Sequence, residues 1–133
     1  QKVSDDVSMN NEANYIMTVF TNEIYVATYV LSPEGEPLES IDLENLDGEV
    51  VTIGFFDEKA YIKENYGERD YMTSDRYTYE DSTLEYIEES NLIDITLIVK
   101  DKQGDRRELT LQSHVSIGKE KEEAKEGENH EIE

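Results

Sequence analysis

Two histidines and many carboxylates are the residues of this chain whose types could support catalysis. A hydrolytic triad needs a histidine beside a serine on a tight, strained turn. His114 alternates with polar residues on a predicted strand and faces outward, and His130 lies in the acidic C-terminal segment. The 33 Asp and Glu residues make every carboxylate spacing used in glycoside hydrolysis available by chance. We therefore assign no catalytic residues and predict that the protein is not an enzyme.

Four carboxylates surround Gly48 at the short spacing that suits calcium, which prefers oxygen ligands: Asp42, Glu44, Asp47 and Glu49. The pattern is not that of an EF-hand, and acidic clusters arise readily in so acidic a chain. A solvated loop is the favoured interpretation. The chain has no cysteine, which excludes disulfides, thiolate catalysis and cysteine-ligated zinc. We predict no metal site, no cofactor and no cofactor-binding residues.

Aromatic and basic residues form two further local concentrations. Six of the nine tyrosines fall between Tyr61 and Tyr86, where they could stack on a sugar or a peptide, and packing at the rim of a sheet is the favoured alternative. A third of the positive charge lies at one predicted hairpin tip. This charge could orient like subunits head to tail, or it could deter aggregation at a sheet edge, and both interpretations stay open. The residues of this tip are Lys100, Lys102, Arg106 and Arg107.

The overall charge restricts the partners. With a net charge of −21 and 133 residues, the chain is one strongly acidic domain, whose field repels nucleic acids and anionic lipids. We therefore predict no nucleic-acid partner. No run of eighteen apolar residues is present, and the chain begins at Gln1 rather than Met. We expect a processed or truncated N-terminus, from which a preceding segment has been removed.

Hydrophobic spacing predicts one long N-terminal helix. The apolar residues recur at intervals of 4 and 3, which align on one helical stripe. The helical region spans residues 1–31, with the helix itself over 4–31, and Ser32-Pro33 ends it. Residues 24–30 are rich in β-branched and aromatic types that also suit a strand, but the unbroken spacing favours helix. The stripe consists of Ala13, Met17, Phe20, Ile24, Ala27 and Leu31.

The remainder of the chain is predicted to form a loop, a sheet and a tail. Residues 32–48 hold both prolines and predict a connecting loop, with at most a short strand around 38–43. Residues 49–118 predict an antiparallel sheet, beginning with a hairpin over 49–63 and closing with one that joins 93–100 to 107–117. The segment 119–133, with seven Glu and three Lys, predicts a disordered acidic tail. The expected fold class is α+β, a long N-terminal helix packed on an antiparallel sheet in a single domain over residues 1–118.

The helix and the closing hairpin resemble parts of type IV pilins and type II secretion pseudopilins. The run from Asn11 to Phe20, within residues 2–28, is similar to the second half of the long helix of this family. The segment from Ile93 to Ser116 resembles the C-terminal hairpin of the minor subunits. The cysteine-bracketed loop of many members is absent here, and residues 38–90 show no resemblance.

The resemblance implies a structural, non-catalytic subunit, minor in type, of a pilus or a secretion pseudopilus at the cell surface. Its partners would be other pilin or pseudopilin subunits, and its membrane contact would come only from the missing N-terminal segment. The soluble fragment is expected to be monomeric, because the charge of −21 opposes self-association. The alternative hypothesis is a secreted or lipid-anchored bacterial module that binds a ligand through the tyrosine-rich region. A continuous helix over residues 4–31 would favour the pilin.

Overall fold

The structure is a computed structural model that describes residues 2–103 and 107–117, with side chains described from residue 7 onward. The described residues form one helix and nine strands. The helix is α1 (Lys2–Tyr25), and the strands are β1 (Ala27–Val30), β2 (Ser40–Asn45), β3 (Val50–Phe56), β4 (Lys59–Glu64), β5 (Asp70–Tyr71), β6 (Tyr77–Thr78), β7 (Thr83–Ile87), β8 (Leu92–Asp101) and β9 (Glu108–Ser116).

The strands form two antiparallel sheets. The first sheet follows chain order, β1-β2-β3-β4-β5. In the second sheet β8 is central, with β9 along one edge and both β6 and β7 along the other. The two sheets are joined where Leu38 and Leu84 exchange backbone hydrogen bonds of 2.7 and 2.9 Å. The protein is therefore mostly β, and the predicted fold of a long helix on one sheet is wrong.

The predicted helix is too long because residues 27–30 form a strand. β1 pairs with β2, so that Ala27 lies opposite Asn45 and Val30 lies opposite Leu43. The β-branched and aromatic residues of this stretch suit the pleated sheet better than a helix. Ala27 is apolar because it is buried in the strand, and by its position it also matched the helical stripe. Leu31, the last residue of the predicted stripe, is exposed. The helical spacing therefore continued past the end of the helix by coincidence.

The helix packs its apolar side against the second sheet, on β8 and β9. Its buried residues are Met9, Ala13, Ile16, Phe20 and Ile24, and Met17 is only partly buried. The ring of Phe20 meets Phe55 of β3 edge to face, with 5.7 Å between centroids. The helix thus contributes to one core that the inner faces of both sheets share.

The central region corrects two further expectations. The predicted loop over 32–48 contains the whole of β2, and the backbone at Leu38 extends the pairing to β7. Tyr77 and Tyr79 belong to the tyrosine-rich region that was expected at the rim of a sheet, but they are among the most buried side chains. The hairpin over residues 49–63 is confirmed by the pairing of β3 with β4.

The inner face of the closing hairpin is confirmed for β8, where Ile93, Ile95, Leu97 and Val99 are fully buried. On β9, Val115 is buried, but Leu109 and Leu111 are only partly buried. The core is therefore less completely covered at β9 than at β8. The predicted acidic tail over 119–133 lies outside the described residues.

Candidate functional site: an aromatic and cationic face

The outer face of the first sheet carries a cluster of aromatic and cationic side chains, which we call the Arg69 face. Phe56 ends β3 and lies opposite Lys59 of β4. Tyr61 of β4 lies opposite Tyr71 of β5. Because directly paired residues of antiparallel strands share a face, the sheet register brings these side chains together. The members of the Arg69 face are Phe56, Lys59, Tyr61, Arg69 and Tyr71.

Arg69 lies at the centre of this face, stacked on two rings. Its guanidinium carbon is 3.7 Å from the centroid of Phe56 and 5.2 Å from that of Tyr61. The Tyr61 and Tyr71 rings meet edge to face at 6.1 Å, and the Lys59 ammonium is 5.4 Å from the Tyr71 centroid. These distances suit cation–π attraction. Tyr61 is only 4% exposed, whereas Phe56 and Tyr71 are 49% and 40% exposed and remain available for contact.

The charge of Arg69 is not neutralised within the described part of the chain. Lys59 pairs with Asp75 at 3.6 Å, and the described cations of the second sheet also have carboxylate partners. Among cations whose side chains the structure describes, only Lys63 and Arg69 have no described carboxylate within ion-pair distance. Both belong to the β4–β5 region of the first sheet. These two unpaired cations are notable in a chain of net charge −21, although Glu68 and Asp70 flank Arg69 in the sequence.

Two strained turns adjoin this face. The two-residue turn from β3 to β4 has φ of 54° at Asp57 and 68° at Glu58, a conformation that normally selects Asn-Gly. After β4, Asn65 and Tyr66 also have positive φ, and Tyr66 is exposed. A positive φ costs a non-glycine residue about 1–2 kcal/mol. Strain of this kind concentrates at functional sites, where the surrounding structure maintains it.

Tertiary contacts hold the first of these turns in place. The carbonyl of Glu58 accepts a 2.9 Å hydrogen bond from the Tyr79 amide, and its carboxylate lies 3.4 Å from the Lys102 ammonium. Gly54, in the same hairpin, permits β2 to approach closely, since a Cβ there would lie 2.5 Å from Ser40 Cβ. The position of Phe56 is therefore determined by contacts with β2 and with the second sheet.

The tyrosine-rich region divides between core and surface. Tyr61, Tyr77, Tyr79 and Tyr86 are buried, so packing is the main role of this region. Tyr66 and Tyr71 are exposed, and only Tyr71 joins the Arg69 face. Sequence reasoning missed both Phe56 and Arg69. The available signal was weak: an aromatic residue at a strand end and one arginine in a polar segment.

The predicted acidic cluster does not converge on one point. Asp42 accepts a 2.6 Å hydrogen bond from the Thr52 hydroxyl on the outer face of the first sheet. The amides of Asp47 and Glu49 instead donate to the Asn45 side chain in the turn after β2. Among the described residues, no group of three or more His, Asp or Glu side chains is arranged to hold a metal ion.

The predicted basic tip is paired within the chain. Lys100 lies 2.7 Å from Asp81, and Lys102 lies near Glu58. Arg107 lies 3.3 Å from the buried carboxylate of Asp101, which Arg76 also approaches at 3.4 Å. Arg106 lies outside the described residues. The three described cations of the tip thus have carboxylate partners that the sequence did not reveal.

His114 faces outward from β9, as predicted, and its ring nitrogen contacts the carboxylate of Asp94 on β8. Glu85 of β7 is next in register, so the three side chains form a row across the sheet. A shallow cavity of about 160 Å³ lies beside this row. In the part of the chain that the structure describes, no hydroxyl group hydrogen-bonds His114. The prediction that the protein is not an enzyme stays a prediction.

Comparison of this chain with models of known protein families, with curated proteins and with solved structures finds no match. The resemblance to pilins and pseudopilins therefore rests on the residues quoted for it alone. The helix that this resemblance requires through residue 31 ends at Tyr25. No helix among the described residues is both long enough and apolar enough to cross a membrane.

Proposed function

We propose that this protein is a non-catalytic binding module that recognises a polypeptide partner through the Arg69 face. The observation that carries the proposal is Arg69 itself, which is exposed, stacked on Phe56 and Tyr61, and without a described carboxylate partner. In a chain with 33 acidic residues, a free guanidinium on an aromatic platform is best explained by a partner that supplies the carboxylate. The binding module was the alternative hypothesis from the sequence.

The composition of this face supports a protein or peptide ligand. Tyrosine, phenylalanine and arginine are enriched at protein interfaces, where a few such residues carry most of the binding energy. A guanidinium pairs with a carboxylate through two parallel hydrogen bonds. Because Arg69 is already stacked on two rings, it loses less conformational entropy when it binds. The expected ligand is a segment with one carboxylate beside an apolar or aromatic side chain that covers Phe56 and Tyr71.

The overall charge argues against polyanionic ligands. A field from 21 net negative charges repels nucleic acids and acidic polysaccharides over many ångströms, whereas the one unpaired guanidinium of the Arg69 face can pair with a single carboxylate. The cell-surface or secreted location expected from the sequence remains part of this proposal. The filament-subunit hypothesis stays a prediction, and the end of the helix at Tyr25 disfavours it relative to the binding module.

Selection of a random peptide display library on the immobilised protein tests the proposal. We expect enrichment of peptides that combine Asp, Glu or a free C-terminus with an aromatic or aliphatic residue. Arg69→Ala and Phe56→Ala should each weaken binding of a selected peptide by about tenfold or more, the effect of about 1.4 kcal/mol. Arg69→Lys should restore only part of the affinity, because lysine cannot make the bidentate contact.

Tyr15→Ala is the matched control, because Tyr15 is an exposed aromatic residue on α1, outside the Arg69 face. This variant should bind the selected peptides like the parent. Peptides that bind all three alanine variants equally would contradict the proposal. A parallel array of neutral and acidic glycans distinguishes the alternative ligand class, since Arg69-dependent binding to a glycan alone would replace the polypeptide partner with a sugar.

A further inference from the structure

Among the described residues, the strand β9 forms an edge of the second sheet that lacks three of the usual protecting features: a proline, a lysine and a β-bulge. Among the described strands, only β8 pairs with it. The register with β8 runs without a shift from Leu92–Ser116 to Lys100–Glu108, so no bulge interrupts β9. The strand contains no proline and no lysine. Natural proteins usually block a long edge strand with one of these features, because an open edge pairs readily with another strand.

The free backbone groups of this edge can be identified from the register. At one end of the ladder the Asp101 amide donates to the Arg107 carbonyl, and at the other the Ile117 amide donates to the Asn91 carbonyl. Hydrogen-bonded pairs alternate along an antiparallel ladder, so the odd-numbered residues of β9 bond to β8. The amides and carbonyls of Thr110, Gln112 and His114 therefore point away from the sheet.

This edge lies in an uncharged strip of an acidic molecule. From Leu109 to Ile117 there is no Asp, Glu, Lys or Arg, although these types make up 34% of the chain. The helix that packs beside β9 is also free of them from Ala13 to Asn22. Leu109, Leu111 and Met17 are only partly buried at this place. Here a second acidic molecule can approach without bringing carboxylates face to face.

We propose that two copies of this chain associate by antiparallel pairing of β9 with β9 about a two-fold axis at Gln112, which joins their second sheets. In this register Gln112 faces its own copy, Thr110 faces His114, and Glu108 faces Ser116. No two like charges are opposed, and each outward pair exchanges two backbone hydrogen bonds. A two-fold interface must be self-complementary, and this strand meets that requirement.

Salt distinguishes this association from one through the basic tip. Two molecules of charge −21 repel each other, so the protein is monomeric at low ionic strength, as expected from its sequence. Salt shortens the Debye length from about 30 Å at 0.01 M to about 3 Å at 1 M, which removes the repulsion and leaves the backbone pairing. The β9 dimer therefore forms more strongly as salt increases, whereas head-to-tail contacts of opposite charge would weaken.

Sedimentation equilibrium of the parent protein at these two salt concentrations is the first test. The parent should shift from monomer towards dimer at 1 M NaCl. Gln112→Glu places two carboxylates on the two-fold axis and should weaken the dimer by about tenfold or more. Gln112→Pro removes an outward amide without removing a bond to β8, and should have a similar effect.

Thr83→Glu is the matched control, because Thr83 of β7 lies in register with Thr96 and Gln112, two strands inside the edge, and the variant adds the same charge. It should dimerise like the parent. A parent that stays monomeric at 1 M salt would overturn the proposal, as would a dimer that Thr83→Glu and Gln112→Glu weaken equally. If Gln112→Pro does not fold by circular dichroism, the comparison of the two glutamate variants decides alone.

Discussion

The Tyr79 phenol donates a 2.7 Å hydrogen bond to the carboxylate of Glu12, which connects the N-terminal helix to the segment between β6 and β7. The other carboxylate oxygen of Glu12 accepts a 3.1 Å bond from the Ser74 amide. Burial of Tyr79, followed by the bond to Glu12 and its charge, raises the pKa of this phenol, which keeps the donor proton in place. A single acidic residue on α1 thus positions both the loop between β5 and β6 and the segment between β6 and β7.

Tyr79→Phe removes this donor and should lower the free energy of unfolding by about 1.5–3 kcal/mol, the usual contribution of a hydrogen bond to a charged group. The urea midpoint, followed by circular dichroism, measures the loss. Tyr15→Phe removes a hydroxyl from an exposed tyrosine and should stay within about 0.5 kcal/mol of the parent. Equal midpoints for the two variants would show that the Glu12 contact contributes no stability.

Asp101→Asn should be strongly destabilising, because the buried Asp101 carboxylate compensates both Arg76 and Arg107. Loss of one partner of a buried ion pair costs about 3–5 kcal/mol, and the partial exposure of both arginines places this variant near the lower limit. Thermal unfolding measures the effect. Asp81→Asn breaks the exposed pair with Lys100 and serves as the control, with an expected change in melting temperature much smaller than that of Asp101→Asn.

Leu97 and Leu111 lie directly opposite each other on β8 and β9, but their burial differs. Leu97→Asp places a charge in the closed core and should cost more than about 4 kcal/mol, enough to prevent folding of a marginal domain. Leu111→Asp should cost clearly less, because its side chain is only partly buried and can reach water. Chemical denaturation of both variants tests this order. A larger loss of unfolding free energy for Leu111→Asp would contradict the finding that the core is less completely covered at β9 than at β8.

Glu23→Gln should stabilise the protein at neutral pH. Glu23 lies in the last turn of α1, and burial, followed by the charge of Glu64, raises its pKa above the usual 4.5. The folded state therefore binds the proton more tightly, and stability falls as the pH rises through the interval above 4.5. Glu23→Gln removes the free-energy cost of ionising this carboxyl in the folded state. It also removes a negative charge from the negative end of the helix dipole, which contributes about 0.3–1 kcal/mol.

Melting temperatures at pH 7 and at pH 4 check this prediction. The gain from Glu23→Gln should be present at pH 7 and disappear towards pH 4, where the carboxyl is protonated in both states. Glu68→Gln, at an exposed position after β4, is the control and should change the melting temperature little at either pH. A gain of the same size at both pH values would show that ionisation of Glu23 is not its source.

The spacing of apolar residues correctly predicted those strands in which every second residue lies on the buried face. The alternation from Ile93 to Val99 correctly placed β8 and its buried side, and the hairpin of β3 and β4 follows from its strand-forming residues and the short acidic turn between them. The same reasoning wrongly extended the helix through residues 24–31. Ala27 is buried in the strand, and its position also fits the helical spacing, so the spacing did not reveal where the helix ends. Tyr77 and Tyr79 were misplaced since alternation alone does not say which side of a strand faces the core.

The sequence by itself determined the acidic charge, the absence of cysteine chemistry and the strand periodicity of the last third, since these depend on residue types and near neighbours. Only the tertiary structure decided where α1 ends, that two sheets share the core, and that the described cations of the basic tip pair with Asp81, Glu58 and Asp101. It also brought Arg69 onto Phe56 and Tyr61 and, among the described strands, left β9 paired with β8 alone. These features depend on contacts between residues that are distant in the chain. The local spacing of residues around either partner does not indicate which distant residue it will contact.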